Sequence, residues 1–553
     1  MVELAKQQLK ISANSLQNLI MIGSKRILVC GLLLACSTLF PQNTFATKTF
    51  IYCSEGSPSS FNPQLVSDDP SNVVADALYN RLVEFDPGVT GIVPRLVESW
   101  TISKDNLEYT FKLRKDVKFH TTEYFKPTRN MNADDVLFSF NRMRLDTHPY
   151  HTVNGGNYQY FKSMGMDVTI KDLKKVDDHT VKFLLNKPES TFLSNLAMEF
   201  AAILSAEYAD KLNELKTPQL LDVQPVGTGP FKFQKYEKDS IIRFAANPDY
   251  FLGASPLDRL VFVITPDANV RTQKIKTGEC HMIAEPAPSD YNQFVNDKNL
   301  KITSKAGMNV GYLAFNTQKK PFDNPLVRKA ISHALNRQAY IDAIFMGFGS
   351  VARSPLPPTV LGYTDQPMKY DYNPKKAKDI LREAGYPEGF TTELWALPVS
   401  RPYNPDGKKM AEMMQADLAQ IGIKAKIVTF DWPTYLAKAK NGEHSMGQFG
   451  WTTDNGDPDS FLSLLSCEAI SSGTNRARWC DDKFNEYVTQ AKYTTDINKR
   501  IELYKKAQER FKEESPWVTL AHSTIMRVMS KKVVGYKLDP VARDRFYGVD
   551  LKE

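Results

Sequence analysis

The 553-residue chain lacks the short patterns that mark many enzymes and metal proteins. It contains no Cys-x-x-Cys pair, no His-Glu-x-x-His, no Gly-x-Ser-x-Gly and no Gly-x-Gly-x-x-Gly segment. Structural zinc sites, zinc peptidases, the common serine hydrolases and dinucleotide-binding proteins use these patterns, so the sequence indicates none of these classes. We therefore predict no catalytic residue, no bound metal and no cofactor.

Charge and hydropathy argue against two further classes. The net charge is +7, but lysine and arginine are scattered among acids rather than grouped in runs, so a nucleic-acid-binding surface is not predicted. No stretch of about eighteen apolar residues is present, as a membrane-spanning helix would require. With 42 % hydrophobic and 24 % charged residues, the composition is typical of a globular protein of two or three domains.

Residues 1–46 have the features of a cleavable export signal. The positive pair Lys25-Arg26 precedes an uncharged, mostly apolar segment at 27–35. Ala46 supplies the small residue that a signal peptidase accepts. The mature protein is therefore expected to be exported and soluble.

Two details of this segment have alternatives. A start of translation at Met21 would give a signal of normal length, and we expect translation to begin there. The sequence Leu-Leu-Ala-Cys that ends at Cys36 is similar to a lipoprotein processing site, in which Cys36 would carry the lipid. We favour the soluble, exported form.

Four cysteines follow the signal: Cys53, Cys280, Cys467 and Cys480. An even number in an oxidising compartment predicts disulfides, and three pairings are possible. Cys467 and Cys480 are close in sequence and would close a short loop, with a stabilisation of about 3 kcal/mol. That pairing would leave Cys53 with Cys280.

Hydrophobic periodicity predicts both helices and strands. Helices are expected at 71–85, from 132 onward, and at 268–277, 324–335, 373–385, 408–421, 483–492 and 496–514. Strands are expected at 50–53, 109–114, 117–120, 176–185, 241–245, 260–264, 310–315, 423–430 and 517–522. The helix at 408–421, followed at once by a strand, is typical of the βαβ units of a parallel sheet, so we predict an α/β fold.

Two Pro-bounded loops carry the residues best suited to ligand binding. The segment 450–459 contains Trp451 and Asp454 between glycines, and the segment 399–405 contains Arg401 and Tyr403. If both loops face one cleft, Asp454 can neutralise an ammonium group and Arg401 can hold a carboxylate with its planar fork. A dipeptide carries both charges at a suitable separation. Trp451 and Tyr403 would form the walls.

Each of these residues also has a purely structural interpretation. Asp-Asn-Gly-Asp-Pro is turn-forming, so Asp454 could be a turn or N-cap acid, and Asp457 and Asp459 are better explained as loop and cap residues. A calcium loop is a weaker interpretation, because the order of ligands differs from that of an EF-hand. Arg401 could form a surface or interlobe ion pair. The single histidines at 120, 333, 444 and 522 are better explained as structural than as ligands.

Several segments together resemble a known family. The segments 96–100, 109–114, 117–120 and 133–136 are similar to the signature region of the oligopeptide/dipeptide/nickel class of solute-binding proteins. The resemblance extends to 52–56, 79–85, 227–231 and 451–459, and so covers nearly the whole mature chain.

The resemblance implies a two-lobed periplasmic-binding-protein fold of the Venus-flytrap type. Lobe I would comprise 48–306 and 526–553, with an inserted subdomain at about 80–229, and lobe II would comprise 307–525. The four mature cysteines stand where the family's dipeptide-binding members have two disulfides.

The resemblance also implies a function. Asp454 would pair with the amino group of a dipeptide and Arg401 with its carboxylate. The motif departs from the family at Thr453, where glycine is expected, and this side chain would narrow the site or add a hydrogen bond. The implied partners are a dipeptide and an inner-membrane ABC permease driven by a separate ATPase, with the binding protein as a monomer.

Three other functions remain open. The same fold could bind haem or cationic peptides, although the sequence names no axial ligand for haem. An exported hydrolase with unrecognised catalytic residues is a second alternative. The third is a surface-anchored adhesin or sensor, which lipidation at Cys36 would support.

Overall fold

The structure is a computed structural model, and it describes residues 47–89, 91–365 and 370–552. The expected signal peptide, the start at Met21 and the alternative lipidation site at Cys36 lie outside the described residues. Within the described ranges, no helix combines the length and the apolar character that a membrane crossing needs.

The described residues alternate between strands and helices along the chain. The strands are β1 Thr49–Ser54, β2 Val83–Phe85, β3 Ile92–Pro94, β4 Val97–Ile102, β5 Glu108–Leu113, β6 Ile170–Asp177, β7 Thr180–Leu185, β8 Phe231–Glu237, β9 Ile241–Ala246, β10 Arg259–Ile264, β11 Met282–Ile283, β12 Leu300–Ala306, β13 Asn309–Phe315, β14 Gly349–Val351, β15 Thr391–Trp395, β16 Lys424–Val428, β17 Met446–Thr452, β18 Trp517–Ser530, β19 Val533–Val534 and β20 Asp550–Leu551. The helices are α1 Asp69–Leu78, α2 Ala133–Arg144, α3 Gln159–Ser163, α4 Met166–Thr169, α5 Phe192–Leu196, α6 Ala206–Glu214, α7 Ala268–Thr277, α8 Tyr291–Val295, α9 Pro325–Ala334, α10 Arg337–Tyr340, α11 Pro374–Glu383, α12 Gly407–Ala419, α13 Trp432–Lys440, α14 Asp459–Leu462, α15 Ala469–Ser472, α16 Asp482–Tyr493 and α17 Ile497–Glu514.

A 12-stranded mixed sheet organises these elements. Its order is β16-β15-β17-β13-β18-β11-β1-β10-β9-β8, and β12 and β14 also pair with β18. β15 and β16 are parallel, as the helix-strand succession at 408–430 predicted. The predicted α/β class is confirmed.

The long strand β18 connects the two halves of this sheet. Its first part pairs with β13 and β14, and its second part pairs with β12 and β11. β12 and β13 follow one another in the chain, so the chain also passes between the halves at 306–309. The predicted lobe boundaries at 306/307 and 525/526 fall in this region of the sheet and stay predictions.

A separate four-stranded antiparallel sheet, β4-β5-β7-β6, lies within the range predicted for the inserted subdomain. In β5, Tyr109, Phe111 and Leu113 are buried while the residues between them are more exposed, as their alternation predicted. α2 packs near this sheet and begins with the predicted cap, since Asn132 and Asp135 exchange reciprocal hydrogen bonds with each other's backbone.

Three predicted elements differ in the structure. The strand predicted at 176–185 is interrupted by a turn at 178–179, so it covers the end of β6 and the whole of β7. Residues 117–120 form no strand, because their backbone groups bond to loops: Met131 N donates to Val117 O, and His120 N donates to Gly227 O. Their burial does not alternate either, since Phe119 and His120 are both buried. The helix predicted at 71–85 spans Asp69–Leu78 and is followed by the short strand Val83–Phe85.

Both disulfides pair as predicted from the closeness of Cys467 and Cys480 in the sequence, and as the resemblance implied. Cys467 bonds to Cys480 across 13 residues, and Cys53 of β1 bonds to Cys280, 227 residues away. The second bridge ties the start of the described chain to the segment that leads into β11.

Candidate functional site

The loop that follows β17 is held by its own side chains. Thr453 is buried, and its hydroxyl accepts hydrogen bonds from the backbone N–H groups of Gly456 (2.8 Å) and Asn455 (3.3 Å). The Asn455 side chain accepts from Asp457 N at 3.0 Å. The hydroxyl of Thr453 is thus used to shape the loop, and its predicted contact with a ligand stays a prediction.

The acids at the far end of this loop have structural partners. Arg500 donates to both carboxylate oxygens of Asp457, at 2.8 and 2.9 Å. Asp457 also accepts from the backbone N–H of Asp459, at 2.9 Å. Asp459 is the first residue of the short helix α14. Asp457 therefore holds the loop through its carboxylate, in agreement with its interpretation as a loop residue. Asp459 contributes its backbone N–H, and its side chain makes no cap to α14.

Asp454 has different surroundings. Its carboxylate is half-buried and accepts a hydrogen bond from Tyr160 Oη at 2.8 Å. It makes no ion pair within 4.0 Å with any residue in the described ranges. Burial raises the pKa of Asp454 to about 6, with Asp69 adding to the increase and Arg543 and the Tyr160 hydroxyl opposing it. At neutral pH the group is mainly ionised, and it is available to a cation.

The second loop is placed by a pair of glycines. Gly311 and Gly450 lie opposite each other on β13 and β17. The Tyr403 ring lies where a side chain on Gly450 would be, and the Tyr403 carbonyl oxygen lies where a side chain on Gly311 would be. Because neither strand carries a Cβ here, the Tyr403 loop packs directly on the sheet, beside the strand that ends near Trp451.

Polar contacts hold this loop further. Arg401 and Asn404 exchange two backbone hydrogen bonds, at 3.1 and 2.9 Å. The Asn404 side chain donates to Gln448 Oε1 at 3.1 Å, and this same oxygen accepts from Leu397 N at 3.0 Å. Gln448 belongs to β17, so both candidate loops are attached to one strand.

The Arg401 guanidinium has an aromatic neighbour instead of an acid. Its Cζ lies 5.2 Å from the centroid of the Trp432 ring, a cation–π distance. Among the residues that the structure describes, no carboxylate lies within 4.0 Å of it. Arg401 is half-buried, so its fork of donors is accessible to a small anion.

A third element, the start of α1, lies near both charges. Asp69 is the first residue of α1, and its carboxylate lies within electrostatic reach of the Arg401 guanidinium. Asp69 in turn raises the pKa of Asp454. Tyr403 also lies within electrostatic reach of both Arg401 and Asp69. The start of α1 therefore lies within electrostatic reach of both candidate loops.

The two predicted aromatic walls lie on the same two candidate loops. Tyr403 and Trp451 are half-buried, and the Trp451 indole Nε1 donates to Ser460 Oγ at 3.1 Å, which fixes the orientation of the ring. No sequence pattern marks Tyr160, Asp69 or Arg543 as a neighbour of Asp454. Tyr160 lies 294 residues from Asp454 in the chain, and no local pattern connects them.

The described residues offer little for a metal or haem. Their only group of metal-ligating types is Cys467, Cys480 and Asp482, whose sulfurs form a disulfide and so provide no thiolate. The four single histidines each place a ring nitrogen 2.7–2.9 Å from a backbone carbonyl, and burial lowers the pKa of three of them to about 4: His120, His444 and His522. They are therefore structural in this fold.

Comparison with known proteins identifies relatives along most of the chain. The model of the family "Bacterial extracellular solute-binding proteins, family 5 Middle" matches residues 91–473. The dipeptide-binding protein of Escherichia coli is 49 % identical over 510 residues, covering 91 % of this chain and 95 % of that protein. Heme-binding protein A of Haemophilus influenzae is 46 % identical over 507 residues, covering 92 % and 93 %. The crystal structure of the dipeptide-binding protein from Pseudoalteromonas sp. SM9913 in complex with Met-Leu superposes with a TM-score of 0.85 at 41 % identity, covering 91 % of this chain and all of that one.

Proposed function

The chain belongs to family 5 of the bacterial extracellular solute-binding proteins and has the two-lobed fold of that family, and from this premise we propose that it captures dipeptides and delivers them to an ABC permease. The observation that carries the proposal is a pair of opposite charges, Asp454 and Arg401, on two loops attached to the same strand. Neither has an ion-pair partner in the described ranges, and the Asp69 carboxylate lies within electrostatic reach of both Arg401 and Asp454. Relatives named for dipeptide binding support this choice of ligand.

The two charges would recognise the two ends of the ligand. The Asp454 carboxylate pairs with the ligand ammonium, and the planar Arg401 guanidinium binds the ligand carboxylate through two parallel hydrogen bonds. Because both groups are fixed by their loops, the distance between them selects the length of the peptide. A longer peptide cannot place both termini at once, and a blocked terminus leaves one protein charge buried without a partner.

Contacts between distant parts of the chain give a physical basis for capture. Tyr160 donates to Asp454, and the Asn455 side chain donates to Asn195 Oδ1 at 3.0 Å. Ser190 donates to the Lys492 carbonyl oxygen from its hydroxyl, at 2.8 Å. In each pair one residue belongs to the predicted subdomain of lobe I and the other to the predicted lobe II. A ligand that bridges the lobes favours the state in which these contacts form.

The remaining features of the proposal concern export and partners. We propose that the mature protein starts at Thr47 after removal of the signal peptide, acts as a monomer without catalysis, and uses a permease whose ATPase is a separate chain. Mass spectrometry of the mature N-terminus tests export. A free Thr47 supports the soluble form, and a lipidated Cys36 contradicts it.

Haem is a second candidate ligand, because a relative at 46 % identity is named as a haem-binding protein. Titration with haem and measurement of the Soret band test it directly. Incubation with dipeptides, followed by detection of free amino acids, tests the hydrolase alternative.

Isothermal calorimetry tests the proposed function. Ala-Ala should bind, while N-acetyl-Ala-Ala and Ala-Ala-amide, which each lack one terminal charge, should bind far more weakly. Equal affinities for the free and the blocked dipeptides would contradict recognition by terminal charge.

A further inference from the structure

A second arginine near the candidate site has no acid to pair with. Arg476 lies in the loop between α15 and α16 and is half-buried. The guanidinium Cζ lies 5.7 Å from the centroid of the Phe449 ring. Its Nη1 is buried and makes no hydrogen bond, and no carboxylate in the described ranges lies within 4.0 Å of the group.

Other buried arginines of this protein have hydrogen-bond partners, either backbone carbonyl oxygens or carboxylates. Arg142 donates to both oxygens of Asp222 at 2.9 Å, and Arg527 donates to both oxygens of Asp544 at 2.9 and 3.1 Å. Burying a cation without a partner is costly, so such pairing is expected. The pKa of Arg476 is lowered by burial, with only neighbouring tyrosines acting in the opposite direction. Arg476 therefore lacks the anionic partner that would offset the cost of burying its charge.

The loop that carries Arg476 is held firmly, so the cation is preorganised. The disulfide Cys467–Cys480 closes the segment, and the Asn475 side chain donates to the carbonyl oxygen of Trp479 at 2.7 Å. The Arg476 carbonyl oxygen lies 2.7 Å from His444 Nε2. These contacts position the backbone and leave the guanidinium free of them.

Arg476 and Arg401, the proposed partner of the ligand carboxylate, share a neighbouring residue. Tyr312, Tyr403 and Tyr435 are the electrostatic neighbours of Arg476, and Tyr403 is also a neighbour of Arg401. Arg401 is the proposed partner of the ligand's terminal carboxylate. The side chain nearest to that carboxylate belongs to the second residue of a dipeptide, so it is the part of the ligand that can extend past Tyr403 toward Arg476.

We propose that Arg476 binds an anionic side chain on the second residue, so that the protein prefers dipeptides ending in glutamate or aspartate. This inference rests on the proposed function, since it assumes that a dipeptide occupies the site with its carboxylate on Arg401. A charge-assisted hydrogen bond to a buried guanidinium would supply the preference.

Calorimetry with matched ligands tests the inference. Ala-Glu and Ala-Gln have the same shape and differ in charge, so their ratio of affinities isolates the side-chain carboxylate. We expect Ala-Glu to bind about tenfold to a hundredfold more tightly than Ala-Gln, and Ala-Lys to bind more weakly than either. In the variant Arg476→Met the first ratio should fall close to one, and Arg476→Lys should restore part of it.

Ala-Ala and thermal unfolding serve as controls for the variants. Unchanged melting and an affinity for Ala-Ala within about threefold of wild type are expected, because methionine replaces an unpaired buried cation with an apolar side chain. A wild-type ratio near one, with Ala-Ala still bound, overturns the inference and leaves the proposed function intact. If Arg476→Met weakens Ala-Ala, Ala-Gln and Ala-Glu equally, Arg476 assists Arg401 at the terminal carboxylate, and the inference is wrong. If no dipeptide binds, both proposals fail.

Discussion

The substitution Asp454→Asn tests the proposed ammonium site most sharply. It removes the negative charge while keeping the shape of the side chain and its capacity to accept a hydrogen bond from Tyr160. An ammonium at about 3 Å from the carboxylate gains about 5 kcal/mol at an effective dielectric constant near 20. Desolvation offsets part of this, and loss of the partner of a buried charge costs about 3–5 kcal/mol. The affinity for Ala-Ala should therefore fall by about a hundredfold to a few thousandfold.

A cycle of two proteins and two ligands isolates this interaction. Wild type and Asp454→Asn are each titrated with Ala-Ala and N-acetyl-Ala-Ala by calorimetry at pH 7.5. We expect the variant to lose affinity for the free dipeptide and to bind the acetylated one about as weakly as wild type does, because the acetylated ligand has no ammonium. An affinity of Asp454→Asn for Ala-Ala within fivefold of wild type would refute the reasoning.

Three further predictions follow from the same site. The pKa of ligand-free Asp454 is about 6, and pairing with an ammonium lowers it. The affinity for Ala-Ala should therefore be full above pH 7 and fall about tenfold by pH 5, and calorimetry should detect proton release near pH 6. An affinity that does not change with pH would contradict this. Tyr160→Phe removes a hydrogen bond that lowers the pKa of Asp454, so the midpoint of this profile should move to higher pH, and no movement would count against the contact. Gly450→Ala would place its Cβ inside the Tyr403 ring and should weaken the binding of Ala-Ala at least about tenfold in calorimetry. The control variant Gly91→Ala, whose Cβ would lie in open space, should bind Ala-Ala as wild type does. Equal affinities of the two variants would disprove this role of Gly450.

Part of the fold and of the site was accessible from sequence. Residues 109–114 form a strand because Tyr109, Phe111 and Leu113 alternate with less buried residues, and one buried face imposes that period. Residues 117–120 alternate between apolar and polar types in the sequence but form no strand, because their backbone groups bond to loops, and the polar His120 is buried. Periodicity does not report where the backbone hydrogen bonds go.

The candidate site shows the same limit. Asp454 and Arg401 stand in loops whose composition, together with the family resemblance, was enough to select them. Their surroundings were not predictable, since Tyr160 and Asp69 come from segments hundreds of residues away and only the folded chain brings them near. The two facing glycines that place Tyr403 were equally hidden, because their role depends on the pairing of β13 with β17.

A crystal structure of the protein grown with Ala-Ala is the most direct test of the claim that two fixed opposite charges recognise the two ends of a dipeptide. We expect the ligand nitrogen within hydrogen-bond distance of the Asp454 carboxylate, and both ligand carboxylate oxygens on the Arg401 guanidinium. A dipeptide bound in the reverse direction, or bound with either terminus away from these two residues, would contradict the claim.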